Sequence, residues 1–293
     1  NANDAIALTF SLYNIIANNI ASNNTGLGIY LAGNSAELIT DNIIANNVAD
    51  NNQVIGILLV YSANNVIVNN SANNNYNYGI HMIESNNNIL ANNVANKNQN
   101  GLFLYSHASY NTLINNIANN NKFYGIYIYF ESPNNILIGN KANNNSYGIY
   151  LLGSNSNHLE GNVITNNSYG IYFQASIFNN LTSNQFCPSS LYTDFTGFDL
   201  AKNSGRKNIC DKPGEWNDVD TAGCTYSCAY LVGLPGDVNG DCTVNVLDLA
   251  GVGKTFGSSS SDPNWNPAAD LNDDGVINIL DLAAVGKAFG SSC

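Results

Sequence analysis

Short alternations of apolar and polar residues recur along residues 1–186 at an interval near 23 residues. The burst Gly28-Ile29-Tyr30-Leu31 returns as Gly56-Ile57-Leu58-Leu59, Gly79-Ile80-His81-Met82 and Gly101-Leu102-Phe103-Leu104. Further copies begin at Gly125, Gly148 and Gly170, and Ala5-Ile6-Ala7-Leu8 is a degenerate first copy. A second signal, Asn-x-apolar-x-x-Asn, keeps step at Asn14, Asn42, Asn65, Asn88, Asn111, Asn135, Asn157 and Asn179. In most copies another asparagine follows ten residues after the start of that motif, from Asn24 to Asn167.

Runs this short, β-branched and alternating with period two, predict strands and exclude helical repeats. A fixed interval of this length predicts a solenoid, in which each turn buries its face against its neighbours. Three short strands per turn, stacked about 4.8 Å apart, make a mainly β chain, a parallel β-helix of about 8–9 rungs. Asparagine at the turns tolerates left-handed backbone and can hydrogen-bond its counterpart one rung away. Its abundance therefore needs no disorder to explain it. Sequons at Asn23, Asn69, Asn144, Asn166 and Asn180 sit beside the ladder positions and are expected to face outward as glycosylation sites.

Strand alternation also predicts an outer ribbon. Two residues after the repeat glycines stand Tyr30, Leu58, His81, Phe103, Tyr127, Tyr150 and Tyr172, and four after them stand Tyr105 and Tyr129 among aliphatics. Tyr30, Phe103, Tyr105, Tyr127, Tyr129, Tyr150 and Tyr172 form a candidate interaction face. It would pack on another copy or partner, stack on sugar rings, or be covered by residues 187–233.

The repeat resembles the right-handed parallel β-helix of carbohydrate-binding and sugar-hydrolase proteins and of many archaeal surface proteins. Polysaccharide-cleaving members of that fold would need clustered carboxylates, or a basic residue beside bound Ca²⁺. Here the repeat region has seven acids and no arginine before Arg206. Only Glu84, His107 and Glu131 share an offset on successive rungs, as a column that could hold a metal or share a proton. No catalytic residue is assigned.

The tail carries a duplicated loop. Asp237, Asn239, Asp241, Thr243, Asn245 and Asp248 occupy positions 1, 3, 5, 7, 9 and 12 of one window. Asp270, Asn272, Asp274, Val276, Asn278 and Asp281 do the same 33 residues later. Oxygen side chains at this spacing, with a backbone carbonyl at position 7, make an all-oxygen shell for a hard cation. Each loop runs into a helical stretch, and Asp stands at position 12 where an EF-hand usually has Glu. This duplication closely resembles a type I dockerin, with Cys242 replacing the usual glycine at position 6 of the first loop. The resemblance implies two Ca²⁺ ions and a cohesin-like partner met by Val246, Leu247, Gly253 and Lys254 and by Ile279, Leu280, Gly286 and Lys287. It also brings the two ends of the module together, so a Cys242–Cys293 bridge is expected.

Length and composition fit two domains: 293 residues, 44% hydrophobic, 10% charged, net charge −12. The expected division is a β-helix over 1–228, a linker over 229–236 and the dockerin-like module over 237–293. Without a basic patch, nucleic acid is excluded as a partner, and no apolar run approaches the ~20 residues of a membrane span. Six cysteines beside calcium loops predict an oxidising, extracellular or cell-surface setting. Cys187, Cys210, Cys224 and Cys228 should staple the end of the solenoid, most simply as Cys187–Cys210 and Cys224–Cys228, with other pairings open. A chain starting at Asn1 reads as a processed form, with an uncapped first rung on which further copies could dock. The expected function is that of a non-catalytic structural protein. It would be held in a cell-surface or filamentous assembly through its calcium module and aromatic face, by a cohesin-like domain or by copies of itself. The alternative is a cohesin-recruited protein that binds or degrades polysaccharide.

Overall fold

The computed structural model describes residues 4–187, 191–228, 235–239, 243–259, 262–272 and 274–291. It divides into two compact units, Asn1–Thr225 and Tyr226–Cys293.

The first unit is the right-handed parallel β-solenoid that the repeat predicts, of about nine turns. Two parallel sheets of nine strands run along it, one from Ile6–Thr9 to Thr193–Gly197, the other from Ile15–Ala17 to Ser204–Arg206. Every strand pairs with the strand one turn away, so Ile29 lies on Ile57, Ile57 on Ile80 and Leu102 on Ile126. Among the described residues the third side of each turn has single-residue bridges, such as Val48–Ser71 and Ser71–Val94, in place of the expected third strand. Buried asparagines such as Asn47 and Asn52 turn the chain at both ends of that side and leave one residue free to pair. One turn buries Ile57 and Leu59 from the first sheet, Ile67 from the second and Ala72 from the third side, all fully. Each large aliphatic so buried contributes about 1.5–3 kcal/mol.

Each corner divides its work between two adjacent residues. Asn46 takes the left-handed backbone (φ 56°) at the surface, and Asn47 beside it points inward, buried. The expectation that one asparagine does both is corrected: an inward amide cannot also sit at the outward tip of the turn. Inward asparagines form continuous ladders. In one rung the Asn116 backbone N–H and Nδ2 both donate to Asn140 Oδ1, at 2.9 and 3.0 Å, while Nδ2 also donates to the Leu90 carbonyl. Asn116 Oδ1 in turn accepts from Asn93 N–H and Nδ2. Such complete pairing is what makes buried amides tolerable.

The repeat glycines have a steric cause. A Cβ on Gly79 would lie 2.7–2.8 Å from Ala95 Cβ, Asn98 Nδ2 and the Gly101 carbonyl. Gly79 and Ile80 therefore both face the interior, and the residue before the glycine, Tyr78, is turned outward.

At the far end Trp216 is 2% exposed and stacks on Phe195 at 4.6 Å and 8°. Asp218, 3% exposed, closes one asparagine ladder by accepting from Asn208 N–H and Nδ2, from Trp216 Nε1 and from Thr225 N–H and Oγ1. The pairings Cys187–Cys210 and Cys224–Cys228 are corrected here, because Cys210 is bonded to Cys224. The register sets Gln185 against Ile209, which brings Cys210 above Phe186, an inward position, and leaves Cys187 one residue further along. Strand alternation then separates the two thiols. Cys187 and Cys228 each take part in a disulfide as well.

The second unit has two helices, α1 (Val246–Lys254) and α2 (Ile279–Ala288). They pack through Val252 and Val285 with Val244 and Ile277, all fully buried. Each begins with the same reciprocal cap, Asn245 with Asp248 and Asn278 with Asp281. Most of the expected linker, residues 229–234, lies outside the described residues, as do Asp241, Cys242 and Cys293 and with them the expected Cys242–Cys293 bridge.

Candidate functional site

The tail loops are organised by their last carboxylate. Asp248, fully buried, accepts from Val238 and Asn239 N–H with one oxygen and from Asn245 N–H with the other. Asp281 repeats this with Leu271 and Asn278, at 2.8 Å each. Asp270 accepts from the Asp274 and Gly275 backbone, and Asn272 Nδ2 donates to Asp274. No basic side chain pairs with Asp270, Asp274 or Asp281 among the described residues. A loop of uncompensated oxygens with its position-12 carboxylate already oriented has the donor chemistry a hard cation requires. Among the described residues, however, no three His, Cys, Asp or Glu side chains are grouped to hold a metal as they stand. Asp237 and Asn239 precede α1 in the first loop with Thr243, and Val276 precedes α2 in the second.

Beside the loops the two helices expose matching apolar pairs. Val246 and Leu247 are 65% and 59% exposed, Ile279 and Leu280 65% and 58%. Gly253 and Gly286 have open space where a side chain would stand, and Lys254 and Lys287 are exposed next to them.

On the solenoid, the predicted aromatic ribbon lies on the outer face of the first sheet. Its rings cover one another, leaving Phe103 buried and the tyrosines half-buried: Phe103 stacks on Tyr127 at 4.7 Å and Tyr127 on Tyr150 at 5.0 Å, while Tyr129 lies 5.4 Å from Tyr127. Tyr105 joins through Phe103, and Tyr172 meets Tyr150 edge-on. Tyr30, which has no aromatic neighbour in register, is half-buried above Ala7 and Leu58. Ring faces that the sequence leaves looking for a cover are thus largely used within the ladder. A further column, Tyr78, Tyr124, Tyr147 and Tyr169, runs alongside. Simple alternation misses it because the inward glycine resets the phase; tyrosine recurring just before that glycine was the available signal. Burial raises the Tyr127 phenol, with neighbouring hydroxyls adding to it, and pushes Tyr150 to about 12. Burial lowers His81 to about 4, so its imidazole is neutral.

The acid–base column does assemble. His107 Nε2 lies 2.9 Å from Glu131 Oε2 and Nδ1 lies 3.6 Å from Glu84 Oε1, with Ser106 Oγ donating to the same Glu84 oxygen. All three are corner residues in the left-handed region, φ 50–59°. The imidazole stands between the carboxylates, so the donors diverge and cannot converge on one ion. The five sequon asparagines are all exposed, and four of them, Asn23, Asn69, Asn144 and Asn166, are left-handed corner residues.

A right-handed β-solenoid of stacked asparagine turns joined to a duplicated loop-and-helix module defines the class. Residues 51–203, more than half of the chain, match the family described as periplasmic copper-binding protein (NosD), and the chain belongs to that family. Residues 1–95 match the right-handed β-helix region and residues 235–290 the type I dockerin domain. No curated protein matches the chain. Among solved structures it is similar to the A-module of Azotobacter vinelandii mannuronan C-5 epimerase AlgE4, with 16% identity and a TM-score of 0.55 over 67% of this chain and 57% of that one. The periplasmic alginate epimerase AlgG is similar at 19% identity and TM-score 0.54, covering 65% and 51%. ORF18 of Geobacillus virus E2 matches at 14% identity and TM-score 0.52, covering 71% and 52%. The chain spans little more than half the length of each, and what it shares with them is the fold. Among the described residues no helix is long and apolar enough to cross a membrane.

Proposed function

We propose that this chain is a non-catalytic structural component of an extracellular assembly. Its tail folds around two Ca²⁺ ions and plugs into a cohesin-like domain, and the solenoid is displayed from that anchor at the cell surface or in a filament. The observation that carries the reading is the duplicated pair of exposed apolar residues, Val246–Leu247 and Ile279–Leu280, at the start of two helices capped in the same way. Aliphatic side chains held in water at nearly equal exposure at both sites favour burial by a partner. The open space beside Gly253 and Gly286 lets a partner backbone approach closely. Dockerin domains bind cohesins and calcium, and the match to that domain covers both loops. Disulfide bonding supports an oxidising setting, and the exposed sequons leave room for glycans.

The test is titration calorimetry of the intact chain against a panel of purified cohesin domains in millimolar Ca²⁺. Binding is expected, is abolished by a chelator, and falls by at least ~100-fold in the double variant Leu247→Asp, Leu280→Asp. Failure to bind any cohesin, or undiminished binding by the double variant, sinks the proposal.

A further inference from the structure

The outer tyrosine column has a gap. Tyr78, Asn100, Tyr124, Tyr147 and Tyr169 stand one above another in the sheet register. Where the column is complete its rings meet, Tyr124 with Tyr147 at 5.4 Å and Tyr147 stacked on Tyr169 at 5.0 Å. At Asn100 a ring is missing between two rungs that carry one. The backbones on either side are two rung spacings apart, about 9.6 Å, and the Tyr78 ring leans towards the gap, stacked on Phe103 at 5.2 Å. A cavity of about 590 Å³ opens there, between Tyr78, His81, Asn100, Phe103, Tyr124 and Tyr127.

The polar atoms in this cavity want a partner. Asn100 is 8% exposed and His81 7%, and Asn100 Oδ1 and both ring nitrogens of His81 have no hydrogen bond from the protein. A neutral imidazole carries one donor and one acceptor, and Asn100 Oδ1 is a second acceptor. Every other residue lining the cavity is uncharged, and several carry phenol hydroxyls at the rim.

We propose that the gap at Asn100 is a binding subsite for one neutral pyranose unit of a glycan chain. The sugar ring takes the place of the missing aromatic ring. Its hydroxyls, each a donor and an acceptor at once, pair with Asn100 Oδ1 and with His81. Tyr78 leans over the imidazole at 4.5 Å and swings aside as the sugar enters. A purely aromatic ligand would leave the buried polar atoms unpaired, and a uronate would find no cation in the cavity to pair with its carboxylate. The subsite does not depend on the cohesin reading, since it lies on the solenoid and is assayed without a cohesin.

The experiment is titration calorimetry of the intact chain with cellohexaose, mannohexaose and xylohexaose, with polygalacturonate as the anionic control. At least one neutral hexaose is expected to bind, and polygalacturonate is not. Asn100→Tyr places in the gap the side chain its neighbouring rungs already carry, so the melting temperature should hold while affinity falls by at least ~30-fold. Asn100→Ala keeps the space but removes the acceptor, and should weaken binding by about 5–10-fold. The proposal is overturned if no neutral hexaose binds, if polygalacturonate binds more tightly, or if a folded Asn100→Tyr binds as the native chain does. Any of these leaves cohesin binding by the tail unaffected.

Discussion

Replacing Asp218 should unfasten the end of the solenoid. Every inward asparagine in its ladder hands its N–H groups to the next rung, and Asn208 has no further asparagine to receive them. Asp218 takes both, at 2.9 and 2.6 Å, together with Trp216 Nε1 at 3.0 Å. Two more bonds, from Thr225, lie nearer the surface. In Asp218→Ala the Thr225 groups can turn to water, but three buried N–H groups lose their acceptor: the Asn208 backbone N–H, the Trp216 Nε1–H and one N–H of Asn208 Nδ2, whose other N–H stays on the Leu181 carbonyl. At about 1–2 kcal/mol per stranded donor the loss is about 3–6 kcal/mol. Asp218→Asn keeps the shape but replaces one accepting oxygen with a donor, and should cost about 2–3 kcal/mol. Because solenoid turns are stabilised by their neighbours, the damage should appear first as melting of the last turn. The assay is urea unfolding followed by Trp216 fluorescence, with Trp265→Phe as the background. Burial pushes the Asp218 carboxyl up, yet the bonds from Asn208, Thr225 and Trp216 outweigh it and hold it below the usual range. Its contribution is therefore complete above the ordinary aspartate pKa and fades as the pH falls through the lower folded value. The Asn variant should lack that acid-dependent step. A shift below about 1 kcal/mol in Asp218→Ala would mean the stranded donors find other partners, and would refute the account.

In mid-ladder, Asn116→Ala leaves the Asn93 N–H and the Leu90 carbonyl without their partner, and should lose about 3–4 kcal/mol in chemical denaturation. His81 is neutral in the fold with a pKa of about 4, so the unfolded chain alone takes up its proton between that value and ~6.5. Stability should fall across this window by up to about 3 kcal/mol, and His81→Phe should remove the slope in melts recorded from pH 4 to 7. Calorimetry should find two Ca²⁺ per chain, with Asp237→Ala and Asp270→Ala each removing one, and circular dichroism should show the tail helices weakened by chelator.

Much of this protein is legible without coordinates because a solenoid turns sequence interval into spatial neighbourhood. Once the interval near 23 is found, the partner of each strand residue is one turn away, and the strand register, the asparagine ladders and the outward sequons follow. The duplicated loop in the tail is legible for a similar reason, since ligand spacing within a dozen residues is local geometry. What the interval leaves open is how single side chains behave where the repeat is broken. The inward pull of Gly79 and its equivalents set Tyr78, Tyr124, Tyr147 and Tyr169 on a face that alternation does not give them. A one-residue offset within the last rung decided that Cys210 meets Cys224 and not Cys187. Asp218 reaches Asn208 from ten residues away through a loop that belongs to no repeat. Periodicity is a property of the chain, and the sequence alone determined the interval, the strand register and the asparagine ladders that follow from it. Caps, gaps and pairings at the ends depend on which atoms are left unpaired when the repeat stops, and only the packed structure decides that.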